Sequence, residues 1–275
     1  IQIRALLHTE NTNVTPSIRQ FVISYKDNTP RLKSIEIPSD KIIDVPSYSQ
    51  YIRDKNIGSV ICSPTSITML LNRRNENLIV EETAWSCFDY DYEAFGNWLF
   101  NVAFASSLGY ESFVEYGNLK SLKREIYSGY PVAVSVKYTN DINNLEYPYI
   151  ENAPAGKSNE SVTRRYKLSE FESAWHRGSN IMYVIHDKEV EINNNRIEAS
   201  LELKNNKENL YSVLVNDTYL DLSSDFVKTI LITYDNGLTF ESLVPYNNHY
   251  LALENKNNCK IYIVGSDGFT YVCNC

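Results

Sequence analysis

Hydrophobic periodicity changes near residue 188, and this change divides the chain into parts that must be built differently. Beyond it, apolar and polar residues alternate with a period of two, most regularly over 197–204. Such alternation is typical of β-strands with one buried face. Turn sequences at 235–237 and 266–268 separate further short runs of the same kind. Residues 189–275 are therefore predicted to form an all-β domain, a β-sandwich or a barrel, with the sandwich preferred.

Before residue 188 the pattern mixes helical and strand-like segments. Pro64 stands where a helix can begin, and Ile67, Leu70 and Leu71 then fall on one face of that helix. Further helices are predicted over 97–108, over 119–128 and around Phe171 and Trp175, and strands over 132–136 and 181–185. This mixture predicts an α+β fold class, with helices packed on an antiparallel sheet, for residues 41–188.

The first 40 residues have a third character. Residues 1–26 contain two runs of alternating apolar residues that predict strands, and residues 27–40 are polar with two prolines. Two strands alone do not form a stable core. We therefore expect 1–40 to be the end of a truncated β domain followed by a linker, with further chain before Ile1.

Composition excludes some functions. Lysine and arginine number 26 against 34 acidic residues, a formal net charge of −8, which argues against a nucleic-acid partner. No apolar run approaches the roughly 20 residues of a membrane span. The five cysteines include no CxxC pair, so no metal site is predicted. Cys259 is placed to form a disulfide with Cys273 or, after a shift in strand register, with Cys275.

Cys62 and Gln50 are the strongest candidates for chemistry. Attack on a carbonyl needs a thiolate, which a helix N-terminus stabilises, and Cys62 lies at the predicted start of a helix. The oxyanion that forms needs a donor, and the amide of Gln50 is available from a loop upstream. Taken alone, the two residues are more typical of a buried structural cysteine and a surface glutamine.

The surrounding motifs favour the catalytic interpretation. The chain resembles papain-like cysteine peptidases related to the bacteriocin-processing, double-glycine leader peptidases, most closely their secreted stand-alone bacterial branch. The likeness covers residues 44–186. Its motifs lie at Val45–Gln50, Gly58, Cys62–Ser66, Gly96–Asn101, Leu119–Val136, Val162–Trp175 and Tyr183–Ile185.

The resemblance implies a fold, an activity and site residues. It implies a papain-like core in which Cys62 is the nucleophile and Gln50 the oxyanion donor. It also suggests that Asn97 and Trp98 contact substrate. The expected substrate is a peptide or protein, no metal or organic cofactor is needed, and the expected location is secreted or on the cell surface.

The sequence departs from the family pattern at the general base. The family has a histidine in a Gly-His-Leu strand and an acidic residue in a following Asn-Asp-Pro-Ala motif, but residues 137–161 contain no histidine. The adjoining motifs predict that a segment carrying both groups is missing between Pro154 and Ala155. Within this chain, His186 is the predicted substitute base.

Three functions remain open from the sequence. The first is a secreted cysteine peptidase that forms an acyl-enzyme on Cys62. The second is an inactive, peptidase-like module that binds a peptide, a cell-wall polymer or a glycan, with the β domains making the wall or glycan contact. The third is acyl transfer from the same intermediate to an acceptor other than water.

Overall fold

A computed structural model describes residues 4–10, 13, 15, 16, 18, 21–25, 41–137, 149–192, 195–254 and 258–275. The described residues before position 26 form no strand, so the two strands predicted there are not observed in this part of the chain. The predicted linker at 27–40 lies outside the described residues.

The described residues up to 188 contain five α-helices and five strands. The helices are α1 (Cys62–Asn72), α2 (Val80–Ser86), α3 (Trp98–Ser107), α4 (Leu119–Ser128) and α5 (Leu168–Arg177). The strands are β1 (Tyr110–Tyr116), β2 (Ala133–Val134), β3 (Tyr149–Asn152), β4 (Thr163–Tyr166) and β5 (Ile181–Lys188). The predicted α+β class is confirmed.

A three-stranded antiparallel sheet, in the order β1-β5-β2, separates two hydrophobic layers. On one face, Ile181, Tyr183 and Ile185 pack with α1 and α3. On the other face, Met182 and Val184 pack with α4 and α5. Since successive side chains of a strand point to opposite faces, β5 joins both layers, and its residue parity decides which layer each side chain enters.

The strands β3 and β4 form a separate antiparallel hairpin. The chain between them turns at 153–156 and then forms a short 3-10 turn at Asn159–Ser161. Asn152 donates from its side-chain amide to the Val45 carbonyl oxygen at 3.0 Å. The hairpin is thereby fixed to the segment that leads to Gln50.

The described residues of the C-terminal part form eight strands, which confirms its β-rich character. They are β6 (Arg196–Asn205), β7 (Leu210–Val215), β8 (Thr218–Tyr219), β9 (Val227–Thr233), β10 (Glu241–Ser242), β11 (Leu251–Ala252), β12 (Lys260–Gly265) and β13 (Thr270–Asn274). They form one sheet in the order β10-β9-β12-β13-β6-β7-β11, with β8 on β7. This differs from the two separate sheets of the predicted sandwich.

The long strand β6 explains the single sheet. Its first half pairs in parallel with β13, and its second half pairs antiparallel with β7. Side chains from both halves of the sheet meet in one core, which includes Val213, Ile232 and Ile261. Cys259 and Cys275 form a disulfide beside this core, whereas Cys273 is a free buried thiol. The pairing with Cys275 is therefore the one formed.

The two parts share an apolar contact and an ion pair. Ile79, which precedes α2, packs with Leu231 of β9 and Tyr262 of β12. Arg196 at the start of β6 pairs with Glu82 of α2 at 2.6 Å. None of the helices in the described ranges is long and apolar enough to cross a membrane.

Candidate active site

Gln50 is buried at the start of a 3-10 turn, Gln50–Ile52, and is 3% exposed. Ser49 caps this turn by accepting a hydrogen bond from the Tyr51 N–H. The Gln50 N–H donates to the Pro154 carbonyl at 2.9 Å, and its Nε2 donates to the Gly58 carbonyl at 2.9 Å. A glutamine Nε2 carries two N–H groups, so a second donor remains after this contact.

The turn at 54–58 determines where the Gly58 carbonyl lies. Asp54 accepts from the Gly58 N–H at 2.7 Å and from the Ile57 N–H at 3.2 Å through its main-chain oxygen. A Cβ on Gly58 would stand 2.8 Å from the main-chain oxygen of Gln50 and 3.0 Å from the main-chain oxygen of Asp54. Only glycine allows this close approach of two backbone segments. Gly58, a glycine of the predicted motifs, therefore allows the turn to approach Gln50 and to accept a hydrogen bond from its side-chain amide.

Cys62 lies in the first turn of α1, as predicted, and it is an exposed residue whose thiol forms no disulfide. Pro64 suits this first turn, where its missing N–H is not needed. The N-cap residue is Ile61, whose side chain makes no capping hydrogen bond, so no side chain offsets the positive end of the helix dipole beside Cys62. Partial removal of the thiol from water raises the pKa of Cys62, and the N–H groups of Ser63 and Cys62 act against this rise.

Tyr183 is a neighbour of the nucleophile that the sequence did not single out for chemistry. Ser63 donates through its hydroxyl to the Tyr183 phenol oxygen at 3.0 Å, and Tyr183 is buried on β5. Burial raises the pKa of Tyr183; the Ser63 hydrogen bond opposes this rise and the nearby Cys62 adds to it. The phenol therefore keeps its proton and can act only as a neutral hydrogen-bonding group beside α1.

His186, the predicted substitute base, is not brought to Cys62. Its Nδ1 lies 2.8 Å from Glu111 Oε2 and its Nε2 lies 2.9 Å from Glu125 Oε2. Glu125 belongs to α4, which packs on the face of the sheet opposite to α1. Both ring nitrogens are already paired, and the sheet separates them from the thiol.

The other three histidines of the chain make no hydrogen bond or ion pair with Cys62 among the described residues. His176 pairs through Nδ1 with Asn180 Oδ1 at 3.1 Å at the end of α5. His8 and His249 are exposed, and His249 lies in the C-terminal part. The described contacts therefore supply a nucleophile and an amide donor but no histidine base.

The chain closes tightly at the point where the family pattern predicts a missing segment. Ala153 donates from its N–H to the Val162 carbonyl at 2.9 Å, and Gly156 donates to the Ala153 carbonyl at 3.1 Å. A Cβ on Gly156 would lie 2.8 Å from the Ser161 oxygen. Through the Pro154 carbonyl, this turn is joined to the main chain of Gln50.

Asn97, a predicted substrate contact, has its side chain engaged in the fold. Its Oδ1 accepts from the Leu99 N–H at 3.1 Å, which caps α3. Its Nδ2 donates to Asp89 Oδ2 at 2.6 Å. The structure thus gives Asn97 a capping role.

Trp98, the other predicted substrate contact, remains available at the surface. It is 37% exposed at the first position of α3, with Leu99 and Phe100 also exposed beside it. By contrast, the other tryptophan of the predicted motifs, Trp175, is fully buried in the core. The role of Trp98 as a substrate contact therefore stays a prediction.

Among the residues that the structure describes, no three His, Cys, Asp or Glu side chains are grouped so as to hold a metal ion.

A protein-family model matches this part of the chain. The family model described as Peptidase_C39 like family matches residues 42–182, more than half of the 275-residue chain. The matched range begins before Gln50, includes Cys62, the helices α1–α5 and the strands β1–β4, and ends at the second residue of β5. Neither the curated proteins nor the solved structures gave a match.

Proposed function

Because this chain belongs to the Peptidase_C39 like family, we propose that it is a cysteine peptidase that cleaves peptide bonds through an acyl-enzyme on Cys62. The observation that carries this proposal is the exposed Cys62 thiol in the uncapped first turn of α1. The family supports a peptide substrate, and a thiolate at a helix N-terminus is suited to attack its carbonyl carbon.

The reaction assigns a separate task to Gln50. Attack by the thiolate converts the carbonyl oxygen into an oxyanion, which is stabilised by preorganised donors. The free N–H of Gln50 Nε2 and the N–H groups at the start of α1 are the donors in this proposal. The amine then leaves with a proton, and water hydrolyses the thioester and releases Cys62.

The proton transfers of this reaction require a group that the described contacts of Cys62 do not include. A cysteine peptidase needs a base that accepts the thiol proton and returns it to the leaving amine. None of the four histidines is in contact with Cys62 among the described residues. We propose that a histidine-bearing segment between Pro154 and Ala155 supplies this base in the natural protein, as the family resemblance requires.

A tandem mass-spectrometric peptide map across residues 151–161 of the natural protein tests this proposal. Extra residues containing histidine between Pro154 and Ala155 would complete the site, and Cys62→Ser should then abolish cleavage of peptide substrates. A direct bond from Pro154 to Ala155, together with no peptide turnover by the parent protein, would refute the peptidase.

Because no histidine contacts Cys62 among the described residues, we propose as a second candidate a peptide-binding module without turnover. In that case Cys62→Ala should leave the affinity for a peptide ligand unchanged, and the parent protein should not cleave the ligand. Peptide binding measured by calorimetry, alongside mass analysis of the ligand after incubation, separates the two functions.

We also propose that the protein works outside the reducing cytoplasm. The Cys259–Cys275 disulfide supports this, because such bonds persist mainly in oxidising compartments. Thiol counting on the natural protein, alkylated at once on extraction, should find this pair oxidised. A reduced pair would contradict the proposed location.

A further inference from the structure

A buried polar chain joins the C-terminal sheet to the turn that seats Gln50. Thr229 of β9 donates through Oγ1 to Asp54 Oδ2 at 2.8 Å. Trp85 of α2 donates through Nε1 to the same Thr229 hydroxyl at 3.1 Å. Thr229 and Asp54 are each 3% exposed, so neither can exchange these contacts for water.

A buried ion pair holds the other side of the same turn. Arg53 donates through Nε and Nη2 to the two carboxylate oxygens of Glu81, at 3.0 and 2.5 Å. The Asp54 N–H donates to Glu81 Oε1 at 3.1 Å. The Arg53 guanidinium also lies 4.4 Å from the ring centre of Phe240, a residue of the C-terminal part. Arg53 and Asp54 are thus held between α2 and the C-terminal part.

From Asp54 the contacts continue to the amide of Gln50. The Asp54 main-chain oxygen accepts from the Gly58 N–H at 2.7 Å, and the Gly58 oxygen accepts from Gln50 Nε2 at 2.9 Å. Thr229 is therefore connected to the amide of Gln50 through one side-chain contact and one five-residue turn, although it lies far along the chain.

We propose that Thr229 is a positioning residue, which acts from the C-terminal domain to hold the Asp54–Gly58 turn and thereby aims the Gln50 amide. This inference rests on the proposed role of Gln50 as an oxyanion donor. It makes the C-terminal sheet a working part of the peptidase site, beyond any binding role of its own.

The hydroxyl of Thr229 is the group that matters, because it donates and accepts at once. Thr229→Val keeps the shape but leaves Asp54 Oδ2 and Trp85 Nε1 without this partner in a buried place. Thr229→Ser keeps the hydroxyl. Thr233→Val is a matched control, because Thr233 is equally buried on β9 but donates to Asp235 within the C-terminal part.

Two reactions of Cys62 distinguish a misplaced Gln50 amide from a general loss of structure around the thiol. In the first, the thiolate attacks the carbonyl of p-nitrophenyl acetate, the bond from carbonyl carbon to aryl oxygen breaks, and p-nitrophenolate leaves with the electron pair. This acylation passes through an oxyanion. In the second, iodoacetamide alkylates the same thiolate with loss of iodide and forms no oxyanion. Both proceed at alkaline pH without a catalytic base.

We expect Thr229→Val to slow acylation about fivefold, less than the roughly 100-fold or greater loss on removal of a whole oxyanion donor. The alkylation rate should stay unchanged, and Thr229→Ser should restore acylation. The control Thr233→Val should leave both rates unchanged. In a Gln50→Ala background, Thr229→Val should have no further effect on acylation, since the two changes act on one interaction.

The inference is overturned if Thr229→Val leaves acylation unchanged, or slows acylation and alkylation equally. Hydrogen exchange at the Gly58 N–H gives a readout independent of chemistry, and it should accelerate in Thr229→Val but not in Thr233→Val. A parent protein that is alkylated but never acylated would refute the proposed function. If the parent protein is never acylated, hydrogen exchange still tests the role of Thr229. Unchanged exchange at the Gly58 N–H in Thr229→Val would refute the claim that Thr229 holds the Asp54–Gly58 turn, and faster exchange would support that claim.

Discussion

At the scale of single residues, Cys62 is an exposed thiol whose environment does not by itself create a thiolate. The first turn of α1 favours the charged form, but loss of water around the sulfur outweighs it and raises the pKa of Cys62. A catalytic cysteine normally needs the opposite balance, which a protonated histidine beside it provides. Loss of water around the sulfur is therefore the cause of the upward pKa shift of Cys62.

We predict that Cys62 is alkylated before the other free thiols and that its rate rises with pH to a midpoint above that of a free cysteine, about 8.5. Cys87 and Cys273 are buried, and burial raises the pKa of both thiols. Iodoacetamide labelling at a series of pH values, read by peptide mass spectrometry, measures this. A midpoint below about 7 would reveal an unrecognised cationic partner beside Cys62.

His186 is a second residue with a testable charge state. Burial alone lowers the pKa of His186, but the hydrogen bonds to Glu125 and Glu111 outweigh it and raise the value above normal. A raised histidine pKa in the folded state stabilises the protein below the unfolded value of about 6.5, and this contribution is lost as pH rises through the folded value.

We therefore expect His186→Gln to lower the free energy of unfolding more at pH 6 than at pH 9, by roughly 0.5–1 kcal/mol for this partly exposed cluster. Urea unfolding at the two pH values measures the difference. His176→Gln is the control, because its ring pairs with the neutral amide of Asn180. An equal effect of His186→Gln at both pH values would contradict the charged bridge.

The sequence predicted those site residues whose signal is local. Cys62 was found because Pro64 marks the start of a helix, and that position is confirmed. Tyr183 was not assigned to the site, because its contact with Ser63 spans 120 residues and no local pattern reports it. Asn97 was placed at the substrate because of its motif, whereas its amide caps α3 and binds Asp89.

At the scale of elements, the Asp54–Gly58 turn is the most tightly constrained segment of the site. We predict that Gly58→Ala lowers the free energy of unfolding by about 1–3 kcal/mol, because the new Cβ would meet two backbone oxygens. Gly96→Ala is the matched control, since its Cβ would meet nothing within 4 Å. Chemical unfolding of both variants measures this, and equal effects would show that the backbone at Gly58 can shift freely.

Helix ends were predictable where a residue type fixes them. Asn118 caps α4 by accepting from the N–H groups of Lys120 and Ser121, and Gly129 ends it in the left-handed region at φ 102°. By contrast, α2 was not predicted. It has only seven residues, and its Glu81 and Glu82 are buried against Arg53 and Arg196 of other segments.

At the scale of the whole molecule, the disulfide fastens the last strand of the C-terminal sheet. Cys259 and Cys275 enclose a separation of 16 residues. We predict that reduction, or the pair Cys259→Ser and Cys275→Ser, lowers the free energy of unfolding by about 3 kcal/mol. Urea unfolding with and without dithiothreitol measures this. The double variant should not respond to the reductant, and an equal response would contradict the assignment.

Strand order in the C-terminal part was beyond what the sequence could give. Period-two alternation predicted the strands, but it does not say which strands pair. The parallel pairing of β6 with β13 and the disulfide of Cys275 instead of Cys273 both depend on long-range register. The same applies to Thr229, whose contact with Asp54 spans 175 residues.

The pairing of β6 with β13 also sets an order of events during synthesis. The ribosome makes β6 well before β13, so β6 lacks one of its two neighbours until the end of this sequence has emerged. β12, which pairs with β9, is also made late, and β9 carries Thr229. A nascent chain in which Cys62 has already left the ribosome therefore lacks the completed C-terminal sheet that holds the Asp54–Gly58 turn. Its thiol is exposed to the cell before the site is assembled.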